Sequence, residues 1–100
     1  MLIISPKTLK LFRCAGRCEW CGQWCDRRDP HHVRPRGIGG GSRLDIRHNL
    51  CGLDRQCHNE ATDGRITEAD MRAIVAQREG CLQHQIEALV AMTLIISDVQ

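Results

Sequence analysis

Four short stretches of this chain carry side chains able to do chemistry: Cys18-Glu19-Trp20-Cys21, Asp29-Pro30-His31-His32-Val33, Asn49-Leu50 and Cys57-His58. The first is a CxxC half-site, a spacing that suits two thiolates on one zinc ion. The adjacent histidines offer imidazoles, which ligate metals and, titrating at about pH 6.5, exchange protons at neutral pH. Taken singly, each piece has an ordinary structural explanation, and Asn49 alone would pass for a turn residue. Taken in order, they read as a metal-dependent phosphodiesterase head braced by a zinc knuckle. His48 and His84 lie outside this pattern and read as surface or hydrogen-bonded histidines. The run Gly39-Gly40-Gly41-Ser42 is not a nucleotide-phosphate loop, because no lysine follows and no strand–helix setting surrounds it.

The order Cys-x-x-Cys, His-His, Asn-Leu, Cys-His closely resembles the HNH endonuclease family of phage and bacterial type, whose ββα-metal motif cuts DNA. The resemblance spans residues 17 to about 62 and extends to Arg34-Pro35-Arg36-Gly37 and its glycine-rich loop. It implies a strand, a loop, a second strand and a helix arranged around one divalent ion. Carried over by position, His32 is the general base, and His31 and His58 ligate the catalytic metal. Asn49 is an orienter whose amide ties the loop backbone together. Arg34 or Arg36 clamps phosphate, with Arg43 and Arg47 as further DNA contacts. The products would carry 5′-phosphate and 3′-hydroxyl ends. Two imidazoles with open positions suit Mn2+, Ni2+, Co2+ or Zn2+ by ligand type, with Mg2+ still open.

The chain departs from the family pattern at the knuckle. Many members carry a second CxxC directly before the last histidine; here Cys57 holds the final place, but the position three residues earlier is Asp54. Three thiolates and one carboxylate still make a tetrahedral zinc site. Cys18, Cys21 and Cys57 are therefore expected ligands, with Asp54, Cys25 or Cys51 as the fourth. Cys14 and Cys81, each on an apolar helix side, read as small buried hydrophobes.

The elements that must position these groups are legible in outline. Ser5-Pro6 predicts a helix N-terminus, with Leu9, Leu11 and Phe12 as its apolar side and Gly16 as terminator. Arg17 to Asp26 has tight-turn character, His31 to Arg34 reads as a short strand, and Gly37 to Ser42 as loop. Leu50 to Leu53 is a second strand, after which Asp54 caps a helix running towards Asp63-Gly64. Thr67 and Asp70 make a capping-box pattern, with Ile66 and Met71 as its hydrophobic staple. That helix stops near Gly80, and a last one runs from about Cys81 to Ile96.

Composition sets the limits. One hundred residues with a single phenylalanine and no tyrosine make a small core that needs a metal, a disulfide or a partner. Seven cysteines are an odd count, and Met1 to Ser5 is too short for a secretory segment, so a reduced cytoplasmic chain using cysteines on zinc is expected. Residues 1–50 carry a net +6 and residues 51–100 a net −4, which places the basic half around the histidines, as phosphate docking requires. The sequence thus predicts a single α+β domain over 1–100, with a motif core at about 17–62 and C-terminal helices at about 67–96. The partner is DNA, with no membrane. A homodimer through the last helix is open, with Leu82, Ile86, Leu89, Val90, Leu94 and Ile95 as its apolar residues. The alternative function is a non-catalytic zinc-ribbon module that binds nucleic acid.

Overall fold

The computed structural model describes residues 2–34 and 43–99, and the side chains of 3–34 and 43–93. The glycine-rich loop, Arg36, and the side chains of Leu94, Ile95 and Ile96 lie outside the described residues. Among the described residues the fold is α+β, with four α-helices and short, paired strands.

A first strand, β1 (Leu2–Ile3), leads into α1 (Pro6–Arg13). The Ser5 hydroxyl accepts from the Thr8 amide at 3.2 Å, and Pro6 fills the first turn, as the Ser-Pro pair predicts. The helix ends earlier than Gly16. Cys14 turns extended while its amide still bonds Lys10, and Gly16 instead opens β2 (Gly16–Arg17). The exposed Cys14 thiol donates to the Leu11 carbonyl at 3.2 Å, so this cysteine is a helix-end residue and not a buried hydrophobe. Cys81 is half-buried against the core, in the link before the last helix. Strand β2 pairs antiparallel with β3 (Trp24–Cys25) across a turn at Gly22, whose φ of 80° favours glycine.

Strand β4 (Asp29–His32) begins two residues before the expected start at His31 and includes Pro30. Proline is tolerated because β4 pairs with one neighbour only, β6 (Leu50–Leu53), in the register His31↔Cys51 and His32↔Leu50. Between them lie β5 (Arg43–Leu44), parallel to β1, and a 3-10 turn at Arg47–Asn49. Neither was legible, since two- and three-residue elements show no periodicity. Helix α2 (Arg55–Thr62) follows β6 behind its Asp54 cap. Then α3 (Glu68–Glu79) starts on a complete Thr67/Asp70 capping box and stops at a left-handed Gly80. Finally α4 (Gln83–Val99) packs back on α3.

All four residues of β6 are buried, and their alternation explains the layering. Leu50 packs with Leu9 and Phe12 of α1. A Cβ on Gly52 would meet the Phe12 carbonyl oxygen at 3.0 Å and the Arg28 guanidinium carbon at 3.1 Å, so helix and strand approach where only glycine fits. Cys51 and Leu53 join Met71, Val75, Ile86 and Val90 on the other side. Ile66 and Met71 both enter this core, as the staple pattern requires. On α4, Ile86 and Val90 face inward, whereas Leu89, and Leu82 just before the helix, are exposed. No helix among the described residues is long and apolar enough to cross a membrane.

Candidate functional site

The knuckle and the start of α2 form one cluster. Cys18 and Cys21 come from the turn between β2 and β3, Asp54 and Cys57 from the α2 N-terminus, and their ligand atoms all lie within 4.8 Å of one another. Glu19 fixes the knuckle to the strand before α2, its amide donating to the Gly52 carbonyl at 2.9 Å and its carboxylate accepting from the Gly52 amide at 2.6 Å. Asp54 serves two partners at once. One carboxylate oxygen accepts from the Cys57 amide at 2.7 Å, which caps α2, and the other accepts from the Cys21 thiol at 3.0 Å. The Cys57 amide, then the Cys21 thiol, hold the Asp54 carboxyl below the ordinary carboxylate range. Burial works against the Cys18 thiolate, but the Cys21, Asp54 and Trp20 amides prevail and lower its pKa. Burial, then Asp54, push Cys57 up. Three sulfurs and one oxygen at this spacing can hold a metal ion such as zinc. The geometry selects Asp54 from the three candidates for the fourth place. Cys51 is sealed in the core, its thiol directed at the Met71 carbonyl and its pKa pushed up to about 12 by burial. Cys25 lies outside the cluster and points its sulfur at the Gln23 carbonyl.

The histidines converge on a second place. His31, His32 and His58 line a cavity of about 710 Å3, together with Arg13, Arg43 and Glu68. The His31 and His58 rings meet edge to face, with centroids 5.3 Å apart. Burial, then the neighbouring His58 and His32, lower the His31 pKa to about 4, so its ring is neutral at physiological pH and keeps a lone pair. His58 donates from Nδ1 to Asp29 at 3.1 Å, and Arg55 reaches the same carboxylate oxygen at 3.2 Å. A carboxylate only accepts, so a neutral His58 is left with its lone pair on Nε2. His32 is held the opposite way round, donating from Nε2 to Asp45 at 2.7 Å, with no partner on Nδ1 among the described residues. Asp45 is 1 % exposed and also accepts the Arg43 fork, at 2.9 Å on each oxygen, and the Ser5 amide at 2.9 Å. Although burial opposes ionisation, Arg43, then His32 and Ser5, hold the Asp45 carboxyl at about 2. Among the described residues, the cysteine–aspartate cluster is the only group of three or more potential metal ligands; the cavity offers the His31 and His58 imidazoles as a pair.

Asn49 is 1 % exposed and satisfied at both ends. Its Oδ1 accepts from the Arg34 amide at 2.8 Å and its Nδ2 donates to the Leu44 carbonyl at 3.0 Å. It therefore ties together the backbone on either side of residues 35–42, directly after the β4 histidines. The candidate DNA arginines divide. Arg43 is occupied by Asp45, and Arg47 by Glu79 through two bonds of 3.0 and 3.1 Å. Arg34 is exposed and has no ion pair among the described residues, and Arg36 lies outside them.

Asp29, Asp45 and Arg13 of this neighbourhood, like Arg55 and Glu68, carried no role in the sequence reading. Asp29 had a signal, since residues two apart on a strand share a face and Asp29 sits two before His31. Asp45 is thirteen positions past His32 and meets it only through the β1–β5 pairing that places Ser5 and Arg43 nearby. Arg13 reaches the cavity because α1 packs on β4. No protein-family model, curated protein or solved structure matches this chain.

Proposed function

We propose that this chain is a metal-dependent DNA endonuclease of the ββα-metal kind, with the cysteine–aspartate cluster as its structural zinc site. The observation that carries the reading is the meeting of three histidines in one cavity, two of them fixed in opposite tautomers by carboxylates. A module that only binds nucleic acid has no need of a buried carboxylate aimed at an imidazole. The succession of β4, β6 and α2, with His31 and His32 on the strand and His58 on the helix, supports the same reading.

In this reading His31 and His58 would hold a divalent ion (Mn2+, Mg2+, Ni2+, Co2+ or Zn2+), which would supply Lewis acidity toward a phosphodiester when bound. His32 accepts a proton on Nδ1 from the attacking water while Asp45 keeps the other ring proton on Nε2. The water oxygen bonds to phosphorus, the P–O3′ bond breaks, and the 3′ oxygen takes a proton from solvent. The ends are a 5′-phosphate and a 3′-hydroxyl. Asn49 holds the backbone around the base in place.

The test is cleavage of supercoiled plasmid, with Mn2+ or Mg2+, by the wild type and His32→Ala. Loss of a general base is expected to slow cutting by about 10²–10⁴-fold. Zinc content, melting temperature and duplex affinity should stay as in the wild type. A folded His32→Ala chain that cuts at the wild-type rate overturns the assignment. A wild type that binds DNA but never cuts it leaves the zinc-ribbon module as the function.

A further inference from the structure

The positive charges of this protein are sorted by partner. Among the described residues, every arginine from Arg43 onward faces a carboxylate: Arg43 with Asp45, Arg47 with Glu79, Arg55 with Asp29, Arg65 with Asp63, Arg72 with Glu68, Arg78 with Glu19. The cations before residue 35 have no such partner. Arg17 and Arg28 spend their hydrogen bonds on neutral groups, carbonyls and, for Arg28, the Cys14 sulfur as well, so their charge is not offset. Among the described residues, the side chains of Lys7, Lys10, Arg13, Arg27 and Arg34 make no hydrogen bond or ion pair. The bare cations thus lie on α1, on the knuckle hairpin and after β4, and α1 has no acidic residue in its first turn to offset them.

Lys7, Lys10 and Arg13 are three residues apart on α1, each step a rise of about 4.5 Å, so they form a stripe beside the buried Leu9–Phe12 face. The stripe ends at the cavity, because Arg13 and Leu9 line it with His31, His32 and His58. Arg28 adds an uncompensated charge at the end of the same helix, on the carbonyls of Leu11 and Cys14.

We infer that the exposed stripe Lys7–Lys10–Arg13 of α1 is the surface that carries the phosphodiester backbone into the histidine cavity. It is this surface, and not Arg43 or Arg47, that makes the phosphate contacts. The inference rests on the nuclease reading for the identity of the cavity but not for the binding itself. A neutralised guanidinium contributes little to attracting a polyanion, whereas exposed unpaired cations release counterions when they meet phosphates.

The experiment measures the affinity of the full-length zinc-loaded chain for a fluorescein-labelled 20-base-pair duplex by anisotropy, across salt concentrations and without added divalent metal. The variants are Lys10→Gln, Arg13→Gln, their combination, and Arg65→Gln as a single-charge control whose guanidinium is already paired with Asp63. The double variant should bind about 10–100-fold more weakly at low salt, with the slope of log affinity against log salt reduced by nearly two, at about 0.9 per lost B-DNA phosphate contact. The control should stay within about twofold of the wild type. Circular dichroism and zinc content verify that each variant is folded. A double variant with the wild-type slope, or a wild type that does not bind the duplex, overturns the inference. Plasmid cleavage separates the two readings. A wild type that binds through the stripe without cutting leaves the surface standing and removes the nuclease, and a cutting enzyme indifferent to the stripe does the reverse.

Discussion

Asp45 is the residue on which the histidine site turns. It is buried, ionised, and shared among His32, the Arg43 fork and the Ser5 amide, so each of its acceptor positions is spoken for. With Arg43 balancing its charge, it serves to fix the His32 tautomer and not to take the proton itself. Asp45→Asn keeps the size but turns one acceptor into a donor facing two or more N–H groups. We expect His32 to become a mixture of tautomers by 15N NMR at pH 8, with cleavage falling at least about 10²-fold; the same exchange in a serine-protease triad costs about 10⁴. Zinc content should not change. A variant that keeps both the wild-type ring-nitrogen pattern and the wild-type rate would show that Asp45 only supports the fold. The histidines were legible because their types and spacing are local. Their carboxylates were not, because Asp45 meets His32 through tertiary pairing of two-residue strands that leave no periodic trace.

The elements show the same division between local and tertiary information. Helix starts were read correctly wherever a cap is encoded within a few residues: Ser5 for α1, Asp54 for α2, and the Thr67/Asp70 box for α3. The end of α1 was missed, because it is set by Arg28 reaching from another segment to the Leu11 and Cys14 carbonyls. Asp54 was expected to cap α2 and was one of three candidates for the fourth zinc ligand, and it is placed for both, one oxygen on each task. This joins the knuckle to the helix that carries His58, and it separates the outcomes of two substitutions. Asp54→Cys supplies a fourth thiolate but removes the cap, so zinc should be retained while thermal stability falls by about 1 kcal/mol. Asp54→Asn keeps a capping oxygen but loses the anionic ligand, so zinc should be released at lower chelator concentration with the apparent helix content unchanged. Competition with a chromophoric chelator, followed alongside circular dichroism, checks both. Equal zinc affinity for Asp54→Asn and the wild type would remove Asp54 from the ligand set.

For the molecule as a whole, the candidate zinc site stands in for core that the composition cannot supply. The candidate ligands Cys18 and Cys57 are themselves members of the main buried cluster, together with Val33, Leu53 and Met71. The only aromatic ring in either core is Phe12, while Trp20 and Trp24 remain outside at 43 % and 64 % exposed. Without a metal, buried Cys57 must carry a proton, and the knuckle is tied to α2 by the Cys21–Asp54 hydrogen bond and to β6 and α3 by Glu19 and Arg78. Binding energy of a thiolate zinc site is then folding energy. In the proposed nuclease, an ion held by the His31 and His58 imidazoles would carry no such burden. Chelation should therefore act in two steps. Mild EDTA is expected to stop plasmid cleavage with the circular dichroism spectrum intact and cleavage restored by added Mn2+. A strong chelator with a mercurial that caps the thiols should then release about one zinc per chain and abolish the cooperative melt. A chain that contains no zinc by elemental analysis and still melts cooperatively would show that the core suffices without it.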